Sequence, residues 1–113
     1  MDWLEPWVAI TDLDWPEQKK VEYCSAWERQ LAREVGPQHV LRGTTATLVA
    51  RRFDTDDALF QIPNGQLAEV HLTWSCGEEP DPTWPVAAIF FSLDEWARES
   101  MAEQHREWAA NEP

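Results

Sequence analysis

The sequence predicts an α+β fold: an antiparallel sheet of about four strands with two helices packed on one face, in the order helix, three strands, long loop, strand, helix. Three observations carry this. Residues 16–35 repeat apolar side chains at helical spacing, residues 44–74 alternate apolar and polar side chains between turn-forming residues, and residues 92–108 open on a helix-capping signature. The chain of 113 residues is read as a single domain, 1–113.

Residues 1–13 place Trp3, Leu4, Trp7, Val8 and Ile10 among acids, an apolar content that predicts a segment docked on the domain. Asp14-Trp15-Pro16-Glu17 reads as a helix start, with Asp14 as cap and Pro16 in the first turn. Val21, Cys24, Trp27, Leu31 and Val35 then fall on one face, expected to lie on the sheet, while Lys19, Lys20, Glu22, Glu28, Arg29, Arg33 and Glu34 form the wet side. Gly36-Pro37 ends the helix through a left-handed cap. The β-branched run from Thr44 to Phe53 predicts a strand, Asp54-Thr55-Asp56-Asp57 a turn, and Ala58 to Ile62 a second strand. Asn64-Gly65 suits a tight hairpin because both residues tolerate positive φ. In the third strand, 66–74, Ala68, Val70, Leu72 and Trp74 alternate with Glu69, His71 and Thr73, the pattern of one buried face. Residues 75–85 hold Pro80, Pro82 and Pro85 and read as an acidic loop. The apolar run 86–91 predicts a fourth strand buried on both faces, and Ser92-Leu93-Asp94-Glu95 is a capping box for the last helix.

Formal net charge is −12, distributed as −4 over residues 1–16, +3 over 17–52, −4 over 53–74 and −7 over 75–113. Such a field repels phosphate, so direct nucleic-acid or anionic-membrane binding is not expected. No apolar run is long enough for a membrane span and the first residues are acidic where a targeting peptide is basic, so a cytoplasmic location is expected. Cys24 and Cys76 are expected to be a reduced pair, and the scattered His39, His71 and His105 offer no metal-ligand spacing. Neither a metal nor a cofactor is expected. Eight tryptophans, each able to bury about 200 Å², imply an aromatic core; Trp15, Trp27, Trp74, Trp96 and Trp108 fall on apolar stripes and are assigned to it.

The stretch from Gly36 to Gly43, Asp56-Asp57-Ala58-Leu59-Phe60 and Val70-His71-Leu72-Thr73-Trp74 resemble an uncharacterised family of small bacterial proteins with an Asp-Asp-x-Leu-Phe strand start and a Val-His-Leu-Thr-Trp strand. The likeness continues through Pro82-Thr83-Trp84-Pro85 and Phe91-Ser92-Leu93. It implies a compact bacterial domain and no particular activity.

No catalytic motif stands out, and the sequence leans away from an enzyme. The favoured reading is a small acidic protein that binds a protein partner of basic character, of the inhibitor or immunity type. Its binding residues would be the turn acids Asp54, Asp56 and Asp57, then His71, and the loop residues Glu78, Glu79, Asp81 and Trp84, the last a rigidly held aromatic anchor. The alternative is a small-molecule-binding protein or enzyme using Asp56, Asp57 and His71, a base and its orienter, in a cleft lined by Trp74 and Trp84. Self-association into a homo-oligomer through the sheet edge ranks third.

Overall fold

The computed structural model describes residues 1–111. Five antiparallel strands form one sheet in sequence order: β1 (Trp7–Ala9), β2 (Thr47–Arg52), β3 (Asp57–Gln61), β4 (Leu67–His71) and β5 (Val86–Phe90). Helix α1 (Glu17–Glu34) follows β1; after β5 come α2 (Leu93–Trp96), a π turn (Ala97–Met101) and α3 (Ala102–Ala110), helical throughout their junctions. The fold is α+β, as the periodicities predict. The fifth strand comes from the first ten residues, where Trp7 is 1% exposed and Trp3 and Leu4 pack around it.

The helices lie on opposite faces of the sheet, not on one. In β3, Ala58 and Phe60 pack with Trp27, Leu31 and Val35 of α1, while Leu59 between them packs with Trp96 and Met101. Successive strand side chains point to opposite faces, so Ala58-Leu59-Phe60, all 0% exposed, is a run buried on both sides. Glu69, read as solvent-facing, sits beneath the C-terminal helix, where its carboxylate accepts from Trp96 Nε1 at 2.8 Å, from the Ser100 hydroxyl and from Gln104 Nε2. A polar stripe at four-residue spacing on the helix thus meets the one acid on that face of β4.

Other local expectations change for steric reasons. Asp14 makes no cap; Pro16 itself occupies the N-cap position. Gly36 is not in the left-handed region. A Cβ there would lie 2.8 Å from the Glu79 carbonyl oxygen, so close passage of the loop over the helix end excludes a side chain. The hairpin does follow its residues, with Asn64 at φ 67° and Gly65 at φ 73°. Val21 is exposed and Cys24 half-buried at the core's margin, so of the helical stripe only Trp27, Leu31 and Val35 are fully buried. Finally, β5 is not buried on both faces: it is the sheet's edge strand, with Val86, Ile89 and the following Phe91 exposed.

Candidate functional site

The turn between β2 and β3 and the end of β4 bring most of the candidate residues to one end of the sheet. Asp57 and His71 are cross-strand partners, so the register alone sets their side chains on one face. His71 Nδ1–H donates to Asp57 Oδ1 at 3.0 Å, and Thr55 Oγ1 donates to Asp57 Oδ2 at 2.7 Å, fixing the carboxylate that orients the imidazole. The half-exposed ring could accept a proton from a bound molecule. The Ser75 hydroxyl, four residues on from His71, is bonded to the Gly77 carbonyl.

Trp74 does not join the core. It is 45% exposed at φ 58°, a conformation that costs a bulky residue on the order of 1–3 kcal/mol. Its indole stands edge-on to Trp27, centroids 4.8 Å apart, and its Nε1–H reaches Asp56 Oδ1 at 3.3 Å. What holds it is Glu34, read from sequence as solvent-facing yet 0% exposed. The Glu34 carboxylate accepts from Thr73 N–H and Trp74 N–H, both at 2.8 Å, from Thr73 Oγ1 at 2.9 Å and from Gln30 Nε2 at 2.7 Å. Nothing in the sequence marked this residue except its place four after Gln30.

Arg51 was equally unmarked. It is 5% exposed, its guanidinium 3.7 Å from the centre of the Trp27 ring, with bonds to the carbonyls of Asp57, Thr55 and Arg52 and to the Tyr23 hydroxyl. Tyr23, Trp15 and Phe53 extend this aromatic cluster, and burial raises the Tyr23 phenol against the lowering influence of Arg51.

The other acids chosen from sequence are each engaged within the chain. Asp54 pairs with Arg52 at 2.8 Å, and that hydrogen bond holds its carboxyl below the usual carboxylate range. Glu78 pairs with Arg42, and Glu79 accepts from Thr73 Oγ1 at 3.0 Å. Asp81 caps its own turn, accepting from Thr83 N–H and Oγ1, which also lowers it. Glu78, Glu79 and Asp81 lie on the loop that Pro85 closes, which Glu79 ties to the end of β4 through Thr73. The Pro85 carbonyl accepts from His39 Nε2–H at 2.8 Å, and His39 Nδ1 accepts from Leu41 N–H, which fixes the tautomer. Trp84 is 42% exposed beside this anchor.

Of the candidate cleft residues, Trp74 lines a surface cavity of about 470 Å³ beside Gln30 and Arg33 of α1. A larger cavity, about 710 Å³, runs between the N-terminal segment, α1 and β2, with Ile10, Val21, Cys24, Glu28 and Leu48 in its wall. Burial, together with the nearby Glu28 and Glu17 carboxylates, pushes the Cys24 thiol up. Since the thiolate is the reactive form, iodoacetamide at neutral pH is expected to label exposed Cys76 before Cys24, read by peptide mass. Equal labelling rates would contradict that assignment. Among the described residues no three His, Cys, Asp or Glu side chains converge as metal ligands, and no helix is long and apolar enough to cross a membrane. No protein-family model matches the chain, and neither a curated protein nor a solved structure matches it.

Proposed function

We propose that this chain is a non-enzymatic binding protein whose partner is a basic protein, in the manner of an inhibitor or immunity protein. The observation that carries the reading is the line of exposed apolar side chains Trp84, Val86, Ile89 and Phe91 along one strand and its approach. They lie within a segment of net charge −7. Large apolar groups left in water on both faces of one edge strand, Val86 on one and Ile89 on the other, favour a protein contact at that edge, and the surrounding charge selects its sign.

Capture from a lysate of the source organism tests it. Wild type is expected to retain a protein released by raised salt, because charge attraction is screened with a Debye length of about 8 Å at physiological ionic strength. Trp84→Ala is expected to weaken retention by about 1–2 kcal/mol with the fold unchanged. Equal retention by both chains, or none by either, would remove the reading.

A specific geometry keeps the second reading in view: Thr55, Asp57 and His71 form the ordered chain of an oriented base. A small-molecule or catalytic role for Asp56, Asp57 and His71 is supported if a ligand shifts the His71 ring resonances and that shift is lost in Asp57→Asn.

A further inference from the structure

We propose that the partner engages this chain by adding a β-strand to the open edge of β5, and that this strand is apolar in its centre and basic at its ends; this rests on the protein-binding reading above.

The hydrogen-bond phase of the sheet identifies which groups are free for it. Ile62 N–H donates to Gln66 O, and Leu72 N–H to Asp56 O, so the even-numbered residues of β4 and its flanks bond toward β3. Leu67, Glu69 and His71 therefore bond toward β5, where their register partners are Phe90, Ala88 and Val86. By alternation the N–H and C=O of Ala87 and Ile89 point away from the sheet. Phe91 N–H, next in that phase, is already taken by the Glu95 carboxylate. The outward groups of Ala87 and Ile89 have no protein partner among the described residues.

The opposite side of the sheet is protected in the ways edges usually are. There β1 is only three residues long, and the outward Leu48 N–H of β2 is covered by Glu28 Oε2 at 2.9 Å. On β5 no such device operates over Val86–Phe90: no charge, no proline and no bulge interrupts it. An uncharged edge with exposed Val86 and Ile89 is a template for another strand. Beside Ile89, Val40 is 68% exposed, and both line a shallow cavity of about 280 Å³ that apolar side chains of an added strand can cover.

Charge decides the occupant. Glu78, Glu79 and Asp81 precede the strand, while Asp94, Glu95 and Glu99 follow it. A second copy paired antiparallel through β5 would bring the acids after one strand against the acids before the other, and each chain carries −12. A strand with lysine or arginine flanking its apolar centre meets attraction at both ends.

The probe is a short synthetic peptide with Val-Thr-Ile-Thr-Val between paired lysines, compared with the same centre between paired glutamates. The lysine peptide is expected to bind the intact chain and slow hydrogen exchange at the Ala87 and Ile89 amides, and the glutamate peptide to leave them unchanged. Ala87→Pro removes an outward N–H without touching a bond to β4, and Ile89→Lys places a charge on the edge without altering the backbone. Each is expected to weaken binding by about tenfold, the scale of one or two backbone hydrogen bonds. Binding that protects neither amide, or that survives both substitutions, would overturn strand addition. So would absence of binding by the lysine peptide, or protection of both amides by self-association without peptide. If the lysate partner is still retained in any of these cases, the protein-binding reading stands without this mode of docking; if no chain retains a partner, that reading falls with it.

Discussion

Glu34→Ala is expected to lower stability by about 3–4 kcal/mol, because it strands two backbone donors, Thr73 N–H and Trp74 N–H, whose acceptor is fully buried, while the Thr73 hydroxyl keeps Glu79. Thr73 N–H, Trp74 N–H and the Thr73 hydroxyl all converge on this one carboxylate, and Gln30 is bonded to it from within α1. Glu34 is the joint between the end of the helix and the end of β4. Its own carbonyl accepts from Glu79 N–H at 2.9 Å, so the acidic loop is tied to the same point. Glu34→Gln separates shape from acceptor count: the amide keeps one oxygen but turns an NH₂ toward backbone donors, and about 2 kcal/mol of loss is expected. Urea denaturation with unchanged slope measures both. Because Trp74 is held at φ 58° by its bond to Glu34, its indole N–H resonance is expected to move in both variants. A midpoint within about 0.5 kcal/mol of wild type in Glu34→Ala would mean that the donors find other acceptors.

Periodicity made the secondary structure legible where each element's own side chains determine it. Helix α1 and strands β2 to β4 stand within three residues of their expected bounds, since a helix with one apolar stripe and strands joined by Asp-rich and Asn-Gly turns leave little choice. Ser92 caps the last helix as its spacing requires, its hydroxyl accepting Glu95 N–H at 3.1 Å. Which side of a sheet a helix covers is not encoded in that way. It depends on chain connectivity, and the clue, three apolar residues in a row at Ala58-Leu59-Phe60, is weaker than the alternation seen in 66–74.

Burial of single polar groups was less legible still. Glu34 and Arg51 are buried and Glu69 half-buried at positions where a charged residue ordinarily faces water, Glu34 and Glu69 because partners distant in sequence supply matching hydrogen bonds, Arg51 because the β2–β3 turn carbonyls and the α1 aromatics enclose it. The same cause misplaced β5. A uniformly apolar strand is compatible with a central position or with an unprotected edge, and only the neighbour count across the sheet separates them. At the candidate site, Asp57 and His71 could be paired from alternation and turn length, whereas Asp54, Glu78 and Glu79 were chosen for charge alone and are paired to Arg52, Arg42 and Thr73.

Trp27→Ala is expected to cost about 4–5 kcal/mol, the largest effect of any single substitution on the α1 side. The ring is 6% exposed, packs edge-on against Trp74 and tilts toward Tyr23, so its removal opens a cavity bounded by aromatic groups that cannot collapse together. It also uncovers Arg51, whose guanidinium has no carboxylate bonded to it and depends on carbonyl oxygens and aromatic faces. Trp27→Phe keeps a smaller π face over the cation and is expected to lose only about 1–2 kcal/mol. A double-mutant cycle with Arg51→Met isolates the contact, and a coupling of about 1–2 kcal/mol is expected for a desolvated cation over an indole. Coupling near zero, with Trp27→Ala still strongly destabilised, would show that the carbonyls of Asp57, Thr55 and Arg52 hold Arg51 unaided. In that case the β2–β3 turn, with Asp57 at its end, owes its geometry to the backbone and not to the aromatic cluster beneath it.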